Sequence, residues 1–180
     1  MIEIIKQFDQ TILFYVYYHL HTSFLDYILS VITSLGDGKF IWIALAYLLL
    51  WSKKTRKYGV LLCISLILSA YLGDGILKPL FRRNRPFMDY PTITLLLRKP
   101  GGYSFPSGHT MGAFTSASII YRYKRQYGIL FYLFACIMGY SRVYFFFHYP
   151  FDVIVGAILG IVVSLFTIKF FSYIEQNERV

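Results

Sequence analysis

Three predominantly apolar stretches, Tyr58 to Leu77, Tyr127 to Phe147 and Phe151 to Phe171, are long enough for a helix to cross a bilayer, which takes about 20 residues. Three shorter ones lie at Phe24 to Leu35, Phe40 to Trp51 and Ser107 to Tyr121. Each can still cross if flanking polar residues snorkel or the bilayer thins locally. A buried core helix explains any one of these three but not all six segments together. The 57% hydrophobic content and mean hydropathy of +0.53 exceed what a soluble core of this size hides. The expectation is an all-α, polytopic membrane helical bundle of about six transmembrane helices, a single domain over residues 1–180.

Charge sets the topology. Lys53, Lys54, Arg56 and Lys57 form one basic loop and Arg122, Lys124 and Arg125 another, and the positive-inside rule assigns both to the cytoplasm. The helix from Tyr58 then runs outward and the helix from Ser107 returns. The segment 78–106 and the stretch Ser141 to Asp152 are therefore extracytoplasmic, in a multi-pass cell (inner) membrane protein with a cytoplasmic tail from Glu175 to Val180. Residues 1–20, with several tyrosines at loose helical spacing, suit an interfacial helix, with part of the first span as the alternative. No small-residue cleavage site follows the N-terminus, so a removed signal peptide is not expected. Gly36-Asp37-Gly38 reads as a tight turn, and Arg82 to Phe105 as the longest non-helical stretch.

The net charge of +9 falls in short clusters between apolar runs, which favours anionic lipid over nucleic acid as partner. No obligate protein partner is inferred. Cys63 and Cys136 sit inside apolar runs and read as buried free thiols, and neither clusters with histidine, so a zinc site has no support. His19 and His21 read as interfacial, Asp26 and Asp37 as helix-end and turn residues.

The outer segments carry Lys78, Arg82, Arg83, Arg85, Arg98, Lys99 and Arg142, against the positive-inside rule. Charges that defy topology mark a functional site. Three groups fall at the outer ends of different helices: Lys78 with Arg85-Pro86, then Pro106-Ser107-Gly108-His109, then Ser141-Arg142 with His148 and Asp152. Together, in order and on one membrane face, they resemble the three motifs of the type 2 phosphatidic acid phosphatase (PAP2) superfamily, with every spacing matched. The resemblance extends from roughly Phe40 to Phe171. It implies a small bacterial membrane lipid phosphatase that works through a covalent phosphohistidine without metal or other cofactor.

The residues support that chemistry on physical grounds. A phosphoryl group in transfer spreads negative charge over its oxygens, so catalysis needs positioned cations and an in-line nucleophile. Lys78, Arg85 and Arg142 can supply the cations. Pro106-Ser107-Gly108 reads as a helix start whose free N–H groups favour an anion; Gly108 admits close approach and Ser107 adds a hydroxyl. His148 and Asp152, four residues apart, can share a helix face, the carboxylate fixing the tautomer while the other ring nitrogen attacks. His109 then protonates the leaving oxygen and later activates water. Asp74, four residues before Lys78, reads as its helix ion pair. Arg82, Arg83, Arg98 and Lys99 attract anionic head groups or help hold a diphosphate. Taken singly, either histidine reads equally as a satisfied one, and Arg142 with Asp152 as a structural ion pair.

The leading substrate is a polyprenyl diphosphate such as undecaprenyl pyrophosphate. Phosphatidylglycerophosphate, phosphatidate and lipid A 1-phosphate share the same chemistry. A transporter that binds lipid phosphates without hydrolysis is the alternative of a different class, and the intact His148, Asp152 and His109 set disfavours it.

Overall fold

The computed structural model describes residues 2–37 and 40–177. Gly38 of the expected turn, and Glu178 to Val180 of the expected tail, lie outside the described residues. Nine α-helices occur among those residues, with no strand: α1 Ile2–His19, α2 Ser23–Gly36, α3 Phe40–Trp51, α4 Arg56–Ala70, α5 Lys78–Phe81, α6 Pro86–Asp89, α7 Gly108–Tyr123, α8 Arg125–Tyr144 and α9 Pro150–Asn177. A π-helical turn, Tyr71–Leu77, links α4 to α5. The stretch expected to be free of helix therefore contains the short α6.

Helix α7 is the axis of the bundle and touches α3, α4, α8 and α9. Its side chains are small and often hydroxylic, and Thr110, Ala113, Thr115, Ser116 and Ala117 are buried. Small residues let backbones close up where lipid supplies no hydrophobic drive between helices. Helix α9 uses the same device. A Cβ on Gly156 would stand 2.7 Å from the Ser107 carbonyl, and one on Gly160 would stand 2.5 Å from that of Met111. Ser164 continues this face one turn on, with Oγ donating to the Thr115 and Gly160 carbonyls at 3.1 and 2.7 Å. The seam fixes the start of α7 against the start of α9, where the motif residues meet.

Two helical stretches, Arg56–Asp89 and Pro150–Asn177, are long and apolar enough to span by themselves, and α2 with α3 qualifies only as a pair bent by 60°. The expected count of six spans is thus not recovered by length and composition. The cause is visible in α7, where burial among other helices relieves the sequence of any need for apolar side chains. Lipid-facing positions carry the apolarity instead: Ile43, Ile67, Leu130 and Phe166 are all at least half exposed.

Both basic loops sit at the end of the bundle opposite the motif residues. Tyr58 and Tyr123, beside the two loops, approach with ring centroids 5.0 Å apart. Lys57 pairs with Glu175 near the end of α9. At the motif end, α1 lies across the loop between α8 and α9, with Leu13 and Val16 buried in one cluster with Tyr144, Phe146 and Tyr149.

Candidate active site

The loop from Phe145 to Tyr149 presents His148. Phe146 holds a left-handed backbone (φ 61°), which costs a bulky residue on the order of 1–3 kcal/mol unless its surroundings impose it. Rings of Phe14, Tyr17 and Tyr90 surround the fully buried Phe146 at centroid distances of 5.7, 5.4 and 6.1 Å. Aromatic packing from α1 and the α6 region thus holds the turn that aims the histidine.

His148 is 1% exposed. Its Nε2 lies 3.0 Å from Arg85 Nη1, and a guanidinium can only donate, so Nε2 carries a lone pair and the proton resides on Nδ1. Burial, followed by the charges of Arg85, Arg142 and Lys78, holds this imidazole well below its ordinary pKa. Both effects favour the neutral ring. Arg85 is itself pinned: Nε donates to the Gly102 carbonyl, Nη2 to that of Gly101 and Nη1 also to that of Phe147, at 2.9, 2.9 and 3.0 Å.

A cavity of about 510 Å³ brings together Lys78, Arg85, Gly108, His109, Arg142 and His148. Its opposite wall is apolar, formed by Trp42, Ile43, Leu66, Ile67 and Met111. Arg142 is 1% exposed; its Nη1 donates to Thr33 Oγ1, yet its buried Nε has no hydrogen-bond partner. A buried guanidinium N–H without an acceptor is costly, and a phosphate oxygen in the cavity would satisfy it. Lys78 pairs with Asp74 at 2.8 Å, as its spacing suggests, although the pair rides on the π turn instead of an α-helix. Ser107 caps α7, but its side chain accepts no hydrogen bond from the backbone N–H groups of the first turn. Its hydroxyl instead meets Thr110 Oγ1 at 2.9 Å, buried away from the cavity lining.

His109 approaches Asp37, Nε2 to Oδ1 at 2.9 Å, over a glycine that makes room for it. A Cβ on Gly36 would stand 2.5 Å from the ring. Asp37 is thus more than the turn residue its sequence setting suggests.

Asp152 stands behind His148 at 3.8 Å from Nδ1, beyond direct hydrogen-bond reach. Its oxygens are taken by other donors: Arg83 Nη1 at 2.6 Å on Oδ1, and Ser104 Oγ with the Tyr149 N–H on Oδ2. Ser104 also lies 3.4 Å from Nδ1, so the carboxylate reaches the ring through this hydroxyl. Neither Ser104 nor Arg83 belongs to a motif, and only contact reveals them. The alternative ion pair of Arg142 with Asp152 does not form, because Arg83 occupies the carboxylate. Arg83 also pairs with Asp9 of α1 and covers the Tyr149 ring at 4.1 Å. Asp9 is fully buried and accepts from the Phe151 N–H at 2.8 Å. Another revision concerns His21, which stacks on Tyr144 at 4.0 Å and meets Asp26 at 2.9 Å. It is a structural clamp between α2 and the end of α8.

A family model described as "PAP2 superfamily" matches residues 58–176, a stretch that includes every candidate residue from Lys78 to Asp152. The chain belongs to the PAP2 superfamily. Among curated relatives, a Sulfolobus acidocaldarius undecaprenyl-diphosphatase is 36% identical over 142 residues, covering 78% of this chain and 68% of the relative. A Bacteroides thetaiotaomicron lipid A 4'-phosphatase is 32% identical over 176 residues, 89% of this chain and 75% of the relative. The crystal structure of Aquifex aeolicus LpxE superposes with a TM-score of 0.79 at 28% identity, covering 89% of this chain and 94% of that one. The protein is a PAP2-type membrane phosphatase. Among the described residues no cluster of three or more His, Cys, Asp or Glu is placed to hold a metal ion.

Proposed function

We propose that this PAP2 phosphatase dephosphorylates a lipid diphosphate such as undecaprenyl pyrophosphate, through a phosphohistidine on His148, at the extracytoplasmic face. The observation that carries the chemistry is that His148 lines one cavity with Lys78, Arg85 and Arg142 and that its Nε2 lone pair is held by Arg85, a donor that can pass to an incoming phosphate oxygen. Nε2 attacks the terminal phosphorus while these cations take up charge on the equatorial oxygens. His109 supplies a proton to the departing oxygen, and Asp37 holds its ring at the cavity wall through Nε2. The same histidine then draws a proton from water that hydrolyses the phosphohistidine. Asp152, acting through Ser104, keeps the Nδ1 proton of His148 in place.

The apolar wall at Ile43 and Ile67 continues into the lipid-exposed surface of α3 and α4, which suits a substrate that stays in the bilayer while its phosphate enters. Placement of the site away from both basic loops supports the extracytoplasmic assignment. The curated relatives named for an undecaprenyl diphosphate and for lipid A support a lipid phosphate substrate and favour the diphosphate first. Phosphate release by the purified protein on a panel of polyprenyl diphosphate, polyprenyl monophosphate, phosphatidate, phosphatidylglycerophosphate and lipid A tests this. Highest kcat/KM on polyprenyl diphosphate is expected. Tight binding of these lipids with no phosphate released from any of them would instead identify a carrier.

A further inference from the structure

A second cavity, of about 470 Å³, opens beside the catalytic one and shares Pro100, Gly101 and Arg142 with it. Asp37 closes one side, and Arg98 and Lys99 close another. Both cations are exposed, and among the described residues neither has an acidic partner; Lys99 only overlies the Phe87 ring at 5.8 Å. Ser30 and Ser34 also line this space, but their hydroxyls already donate to the Tyr27 and Val31 carbonyls. Charge recognition here therefore falls to Arg98 and Lys99.

Two observations give this cavity a direction and a ligand. Asp37 lines it and also holds His109, the residue assigned to protonate the leaving oxygen, so the cavity lies on the leaving-group side of the reaction. The wall shared with the catalytic cavity contains the buried, unpartnered Nε of Arg142. Lys78, Arg85 and Arg142 already match a single phosphoryl group in charge, and two further unpaired cations next to them call for a second anion.

We infer that this cavity holds the second phosphate of a lipid diphosphate, the one that leaves with the lipid, and that Arg98 and Lys99 set the preference for diphosphate over monophosphate. The inference rests on the lipid-phosphatase reading above. In the reaction the bond from His148 Nε2 to the terminal phosphorus forms and the bond to the bridging oxygen breaks. The electron pair stays on that oxygen, which takes the proton of His109, and the lipid monophosphate departs from between Arg98 and Lys99.

The test compares kcat/KM on a polyprenyl diphosphate and on the monophosphate of the same chain, for the unmodified protein and for Arg98→Ala/Lys99→Ala. Loss of two charge-assisted contacts should lower the diphosphate-to-monophosphate ratio by roughly 10- to 100-fold. The charge-preserving Arg98→Lys/Lys99→Arg protein should keep most of the ratio, which separates recognition from misfolding. An unchanged ratio in the alanine variant overturns the inference while leaving the phosphatase reading intact. A selective loss on phosphatidylglycerophosphate, whose second phosphorus is an internal phosphodiester, would reassign the cavity to a glycerophospholipid head group. Failure of the unmodified protein to release phosphate from any lipid would instead remove the reading on which the inference rests.

Discussion

The guanidinium of Arg83 lies against Asp152, Nη1 to Oδ1 at 2.6 Å, and with its other terminal nitrogen holds Asp9 of the first helix. One cation thus serves two buried carboxylates, and removing it leaves both unpaired. Arg83→Met should destabilise the protein by about 3 kcal/mol, the order expected when one partner of a buried ion pair is lost. Asp9→Asn should cost less. In detergent, unfolding of the two single variants and the double should give a coupling energy of roughly 0.5–3 kcal/mol. Strictly additive effects would mean that the contact contributes nothing.

A second expectation concerns pH. Burial first, then Arg85, Arg142 and Lys78, lowers the His148 pKa. The active form is the neutral ring, so the acid limb of kcat/KM attributable to His148 should fall below the ordinary imidazole value of about 6.5. Stability follows with a definite sign. The unfolded chain takes up this proton at higher pH than the folded one, so the contribution of neutral His148 is complete above about 6.5 and declines as pH drops toward the folded pKa. An acid limb above 6.5 in the unmodified protein that persists in His109→Ala with p-nitrophenyl phosphate would contradict this.

The two histidines should separate kinetically. His148→Ala should abolish phosphoenzyme and turnover on every substrate. His109→Ala removes a proton donor worth roughly 100- to 10,000-fold for a poor leaving group, and p-nitrophenyl phosphate should partly rescue its first step. That variant should then accumulate an acid-labile, alkali-stable phosphohistidine. Quench-flow with labelled aryl phosphate and peptide mapping reads the outcome; label in His148→Ala would sink the assignment.

Arg85→Lys and Arg142→Lys should both lose about 100- to 1,000-fold in kcat, the order expected for one lost transition-state donor. Charge is kept, but Arg85 uses three nitrogens at once, and a single ammonium cannot reproduce that fork. Steady-state kinetics of both variants, with wild-type-like melting as control, decides the point.

Topology can be read chemically. On a background lacking Cys63 and Cys136, an impermeant maleimide applied to intact cells should modify a cysteine at Asp89 and spare one at Thr55. Labelling of Thr55 alone would place the site inside.

Much of the geometry of the candidate site is legible in the sequence because motif spacing survives folding. Lys78, Arg85, His109, Arg142 and His148 converge on one cavity as their order along the chain suggests, and Asp74 meets Lys78 one helical turn away. What sequence reading lost are contacts between segments far apart in the chain. Arg83 to Asp9, Asp37 to His109 and Ser104 to Asp152 span 74, 72 and 48 positions, and no local periodicity encodes them. Length and hydropathy leave the count of six spans unconfirmed for a related reason: hydropathy scores a helix by composition, whereas α7 is surrounded by other helices and can be polar. The one missed signal within reach was Gly156 with Gly160, a small-residue spacing that marks close helix packing in membranes.

The Asp9 contacts also carry a consequence for the order of assembly. Its carboxylate leaves the ribosome well before its partners, which lie 74 and 142 positions later, at Arg83 and at the Phe151 N–H. Arg83 can offer its charge first, but the second contact of this carboxylate forms only once the beginning of α9 has been made. Synthesis therefore completes the site from its far end: α1 is made before the contacts that fasten it, and a nascent chain stopped before residue 151 lacks both Asp152, the carboxylate behind His148, and the final clasp for α1.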